Sequence, residues 1–176
     1  MRVSGEQVER AQQLYTFTAL NNSIMGGGSD LYGAIGEIVF ADHYPEWTKE
    51  ESYNHDFRSP TGRTVDVKAK LTTVTPRSHY NASVAVHSRH QTPDYLFFVR
   101  VLDDHSTAWL LGWIPRDEFY QQATFNRKDE VDPTSPHGWK FQEDCWNLPI
   151  HHLRPVTRHV ARVTPCKNPA ETENPQ

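Results

Sequence analysis

The run Val65-Asp66-Val67-Lys68-Ala69-Lys70-Leu71 sets one carboxylate and two ammonium groups at alternate positions of an otherwise apolar segment. Alternation is the period of a β-strand, whose successive side chains leave opposite faces. Val65, Val67, Ala69 and Leu71 then face a core, and Asp66, Lys68 and Lys70 share the other face. Upstream, Ser59-Pro60-Thr61-Gly62 carries the residues of a tight turn. A hairpin centred on Pro60-Thr61-Gly62 puts Asp56 roughly opposite Asp66. Cross-strand neighbours lie about 5 Å apart, so two carboxylates placed there repel unless a cation bridges them. Mg²⁺ suits such a site, because it is held through one or two carboxylates, waters and substrate phosphate oxygens. Lys68, two residues along the same face, points at a metal-bound water. These are the groups that phosphodiester hydrolysis requires: a cation that neutralises the phosphate and acidifies a water, and a lysine that orients the nucleophile. The plainer reading of the strand alone is an exposed Asp66–Lys68 ion pair without catalytic work.

The elements that must position these groups follow from local patterns. Ser4-Gly5-Glu6-Gln7 has the Ser-x-x-Gln form of a capping box, and Val8, Ala11, Tyr15 and Thr18 continue at helical spacing. This predicts a first helix over 5–21. Residues 22–29, with three consecutive glycines, form a joint and not a phosphate loop, since no Gly-Lys-Ser/Thr follows. A second helix runs from about residue 30 to Tyr44, with Leu31, Ile35, Ile38 and Asp42 on one side, and Pro45 stops it. Glu37 lies well away from that stripe, beside Gly33, Phe40 and Ala41, where small neighbours permit close approach to a sheet. After the hairpin, 80–87 alternates weakly as a third strand. The runs 95–102 and 108–114 are almost unbroken apolar stretches, as in strands buried on both faces. Pro115-Arg116-Asp117-Glu118-Phe119 opens a short helix. No element is assigned between 126 and 149, and the polar, Pro-rich end from Pro165 is expected to be a disordered tail. This order predicts an α/β sandwich around one mixed β-sheet flanked by helices, with a single domain over 1–164 and the tail over 165–176.

Asp56 followed by Asp66-Val67-Lys68, with Glu37 in the preceding helix, resembles the PD-(D/E)XK nuclease superfamily, whose fold is the restriction-endonuclease-like core. Gly33-Ala34-Ile35-Gly36-Glu37 is similar to the Gly-x-x-Gly-Glu helix of small phage and prokaryotic members, and the Leu111-Gly112-Trp113-Ile114-Pro115-Arg116 strand-to-helix step belongs to the same resemblance. The resemblance covers about residues 30–120. It implies that Asp56 and Asp66 are metal ligands, with the Val67 carbonyl as a backbone ligand. Lys68 positions or activates the water, and Glu37 holds a second metal or its hydration shell. It implies Mg²⁺, with Mn²⁺ as a substitute, and DNA as partner and substrate of an endonuclease. Cutting both strands with one small active site would call for a homodimer. A catalytically silent DNA-binding or assembly module on the same fold, and an interaction protein whose motif is accidental, are the rival classes.

Charge distribution bears on the same question. The 176-residue chain has a formal net charge of −4, which by itself argues against a nucleic-acid partner. Yet from Phe57 to Pro93 six Lys and Arg face one acid, Asp66, and Arg154, Arg158, Arg162 and Lys167 stand in an acid-free stretch from Cys145 to Ala170. Such stretches present a phosphate-binding face on an acidic molecule. Lys70, Arg77, Arg89, Arg154, Arg158 and Arg162 are the candidate backbone contacts. Two cysteines exclude a disulfide scaffold, the scattered histidines fit no zinc spacing, and Trp109, Trp113, Trp139 and Trp146 are expected in the core, with Trp139 also a candidate for stacking on a base. No apolar run reaches the ~18–20 residues of a membrane span, and no signal peptide opens the chain. The expectation is a cytoplasmic protein without membrane association.

Overall fold

The computed structural model describes residues 1–22, 31–50, 52–133, 135 and 138–156, and of residues 16–22 the backbone alone. The glycine joint, Arg158, Arg162 and the expected tail lie outside the described residues. Helix α1 spans Gly5–Asn22 and opens on the capping box: Gln7 N–H donates to Ser4 Oγ at 3.2 Å, and Ser4 N–H donates back to Gln7 Oε1 at 2.9 Å. Helix α2 spans Leu31–His43 and buries Ala34, Ile35, Gly36, Val39 and Phe40. The buried face is therefore rotated from the expected stripe. Asp42 lies against α1, where it accepts hydrogen bonds from Gln7 Nε2 at 2.8 Å and Arg10 Nη1 at 2.9 Å.

The main sheet holds β1 (Thr48–Lys49), β2 (Phe57–Arg58), β3 (Thr64–Thr72), β5 (Tyr95–Leu102) and β6 (Ala108–Pro115), in the spatial order β1-β2-β3-β5-β6. The pair β3/β5 is parallel and the others are antiparallel, so the sheet is mixed. Val65, Val67, Phe97, Val99 and Val101 form one core with Ile35, Val39 and Phe40 of α2. On the opposite face Leu96, Phe98 and Ile114 pack with Ala82, Val84, Phe119 and Leu148.

That second layer corrects the expectation of one sheet. Strands β4 (Asn81–Ala85), β7 (Thr124–Asn126) and β8 (Cys145–Pro149) make a separate antiparallel sheet in the order β4-β8-β7. Helix α3 (Arg116–Gln122) and 3₁₀ turns at Val86–His90 and Ile150–His152 complete the described elements around it. The weak alternation at 80–87 thus marks a strand of the second sheet, because its inward residues Ala82 and Val84 meet the far face of β5. The face of β3 that carries Asp66, Lys68 and Lys70 is covered by this layer and not open. Among the described residues no helix is long and apolar enough to cross a membrane.

Gly36 brings α2 down onto the sheet. A Cβ there would sit 2.6 Å from Ala69 Cβ and 3.7 Å from Val99 Cβ. Gly36→Val overfills this contact and is expected to lower stability by about 1–3 kcal/mol. A lower urea midpoint with an unchanged denaturant slope checks it.

Candidate active site

The hairpin register is Phe57↔Val65 and Arg58↔Thr64, and Asp56 stands just before this ladder. The turn closes through Gly62 N–H to Ser59 O at 2.9 Å and Ser59 N–H to Arg63 O at 2.8 Å, with Gly62 at φ +84°. Only glycine takes that conformation without strain, so this residue helps to set the register. Strand β2 ends at Phe57. Asp56 therefore keeps one ladder bond, from its N–H to Val65 O at 2.9 Å, while its side chain takes over the next: Oδ2 accepts from Val67 N–H at 2.7 Å. In an antiparallel pair a residue offers its N–H and C=O to the same neighbour, so the Val67 carbonyl leaves β3 on the Asp56 side.

Asp66 is only 3% exposed. Lys68 Nζ lies 2.6 Å from its Oδ2, and also donates to Gln91 Oε1 at 2.7 Å and Ser88 Oγ at 3.2 Å. The Gln91 amide is itself oriented, since Nε2 donates to Tyr53 O at 2.9 Å. Glu37 joins through a residue with no motif: Lys49 Nζ pairs with Glu37 Oε2 and stands 4.0 Å from Asp56 Oδ1. Beside this group Glu50 braces the chain before Asp56, accepting from Arg58 Nε at 2.7 Å with His55 Nε2 at 2.5 Å. The Arg58 hydrogen bond, followed by that of His55, holds the Glu50 carboxyl down at about 2.

Two ammonium groups thus serve three carboxylates, Lys49 meeting Glu37 and Asp56 and Lys68 meeting Asp66. Burial pushes the Asp66 carboxyl up to about 6; the Lys68 charge opposes the shift and the Asp56 charge adds to it. Asp56 is raised as well, first by burial and then by Glu37, with Lys49 and the Val67 N–H opposing. Asp66 Oδ2 is fully buried, and although Lys68 is in ion-pair range, no donor is aligned with that oxygen as a hydrogen bond. A buried carboxylate oxygen lacking an aligned donor, a second carboxylate near it and a backbone carbonyl on the same side fit a hard divalent cation. Among the described residues no three His, Cys, Asp or Glu side chains converge as a ready-made ligand cluster, and Mg²⁺, which keeps several waters, needs only one or two carboxylates.

The basic candidates are dispersed. Arg154 Nη2 pairs with Glu118 Oε2 at 2.7 Å, and its guanidinium stacks on Trp113. Arg77 is exposed in the loop after β3. Arg89 is exposed and stacks 4.0 Å over Tyr120, a ring close enough to Asp66 to sense its charge. Lys49, Ser88, Gln91 and Tyr120 are site residues that sequence reasoning misses. A two-residue strand and a 3₁₀ turn carry no periodicity, and Tyr120 arrives from a helix that passes as surface.

Lys49→Met tests the bridge. Exposed pairs contribute up to about 1 kcal/mol, so the metal-free melting temperature is expected to fall by about 2–4 °C. Calorimetry with and without Mg²⁺ checks it: the deficit narrows when a divalent cation neutralises the same carboxylates. Compared with known proteins, the chain matches no family model and no curated protein.

Proposed function

We propose that this protein is a metal-dependent nuclease with a restriction-endonuclease-like core of the PD-(D/E)XK kind, hydrolysing phosphodiester bonds of DNA. The observation that supports the reading is the Asp56 carboxylate held on the N–H of Val67, the residue after a buried Asp66, while Lys68 contacts Asp66 from the same strand face. Asp56, Asp66 and the Val67 carbonyl would hold Mg²⁺, and Glu37 would hold a second ion or the water around the first. A bound divalent cation supplies charge neutralisation at the phosphate and a more acidic water. Lys68, oriented by Gln91 and Ser88, stands where it can hold that water and stabilise charge on the phosphoryl oxygens. Arg89 on its Tyr120 platform offers a phosphate contact close by.

Plasmid cleavage in Mg²⁺, with chelator as control, is the test. Nicked or linear product that disappears with chelator supports the nuclease. Intact plasmid together with tight DNA binding in Ca²⁺ would leave a silent DNA-binding module, and intact plasmid without binding would make the motif accidental.

A further inference from the structure

We propose that Lys70 and Arg100 bind the phosphodiester next to the one being cut and that Trp139 stacks the attached base, so that the substrate enters as an unpaired single strand. This rests on the nuclease reading above and adds a substrate class to it. Lys70 follows Lys68 by two residues on the same face of β3, about 6.6 Å along the strand. In the parallel register Lys70 is paired with Arg100 of β5, so two cations lie side by side. Arg100 donates to carbonyls only, Nη2 to Asn81 O at 2.5 Å and Nη1 to Leu71 O at 3.4 Å. Lys70 Nζ lies 5.1 Å from the centre of the Trp139 ring.

Among the described residues neither cation is within 4.0 Å of a carboxylate, the nearby charges of Cys145, Glu143 and Asp132 acting on Lys70 without a close ion pair. Burial lowers the affinity of both for their protons, Arg100 to about 10, and Arg100 adds to the effect on Lys70. Two adjacent, partly desolvated cations that share no close ion pair are costly, and an anion between them lowers the cost. A phosphodiester is the anion that this position, one step from Lys68, would meet.

Trp139 supplies the second half. Of its two sequence readings, core or base-stacking platform, its 41% exposure fits the second, and its ring is fixed by Lys70 and by an edge contact to Phe141 at 5.3 Å. An exposed tryptophan beside a phosphate site is a stacking platform, and only a base outside a duplex can use it. Among the described residues β2 pairs with β3 only at Thr64 and Val65, so past that point no further strand covers this edge of β3. Asp66, recessed between the two layers, is reached more readily by one flexible strand than by a rigid duplex.

The test is equilibrium binding in chelator, where nothing is cut, of a short oligothymidylate and of a duplex of similar length. Trp139→Ala is expected to weaken single-strand binding about tenfold or more while changing duplex binding little. Trp139→Phe should restore most of it, and Lys70→Gln should reduce the slope of log affinity against log salt by about one. Circular dichroism melts confirm that these surface variants fold. Unchanged single-strand affinity in Trp139→Ala, or a wild type that prefers duplex or binds neither, overturns the inference. If the wild type cuts DNA in Mg²⁺ while Trp139→Ala keeps full affinity, only this inference falls. Trp139-dependent binding without any cleavage would retain the strand-binding site and remove the nuclease reading.

Discussion

Asp66→Asn is expected to abolish Mg²⁺-dependent cleavage and, in the same protein, the rise in melting temperature that divalent ions give the wild type. A ligand that binds only the folded state stabilises it by mass action, and Asp66 is the most buried carboxylate of the pair that would hold the ion. Asparagine keeps the shape and removes the charge. Fold and packing therefore persist while the capacity to balance a dication is lost. The companion measurement is made without metal. The native Asp66 carboxyl titrates at about 6, above an ordinary aspartate, so the native state holds this proton more tightly than the unfolded chain does. Its contribution is fully present below about pH 4 and is lost as pH rises to about 6, after which it stays flat. A shift of about two units corresponds to at most about 3 kcal/mol. Asp56, raised in the same direction, adds to the trend. Urea unfolding in chelator at about pH 4 and about pH 7 should show wild type losing stability across this window and Asp66→Asn losing less. A mutant that keeps the metal-induced melting shift would remove Asp66 from the site.

What could be read from the residues divides along a physical line. Alternation in 65–71 and turn chemistry at 59–62 are local, and they place Asp56, Asp66 and Lys68 as the structure has them. What covers a face is not local. Ala82 pairs with Leu148 and Ala85 with Cys145, strands of five residues separated by some sixty, and no pattern in either segment announces its partner. The Asp66 face, exposed in the plainer reading of the strand, is instead covered by the second layer, and burial raises the Asp66 pKa and turns a surface ion pair into a buried one. Lys49 was missed for a related reason. Its importance comes from where β1 falls beside α2, and one lysine after Trp47 has no signature. Trp139 was legible only in part: the sequence allowed core or surface, and its 41% exposure beside Lys70 depends on contacts that no local pattern shows.

Lys68→Ala should lower the single-turnover cleavage rate by about 10²–10⁴, the usual worth of acid–base or positioning assistance, while DNA binding in Ca²⁺ stays close to wild type. All three ammonium protons have acceptors within reach, at Asp66, Gln91 and Ser88. The side chain is thus a fixed cation beside Asp66, and in the proposed nuclease its assistance to water would be expressed in the transition state and not in ground-state binding. Its removal also leaves Asp66 without its ammonium. A divalent ion then no longer competes with Lys68 for the same carboxylate, so metal affinity should hold or rise as the rate collapses. That split separates a chemical role from simple loss of structure, which would depress both. Gln91→Leu should give a smaller rate loss in the same direction, because the lysine keeps its charge and loses one of the contacts that aim it. Lys70→Ala, one step further from the carboxylates, should cost less and mainly in binding. Rapid-quench single-turnover rates decide between the two lysines: if Lys68→Ala cuts like wild type and Lys70→Ala is inactive, the catalytic lysine is Lys70 and the cation beside Asp66 serves only to neutralise it.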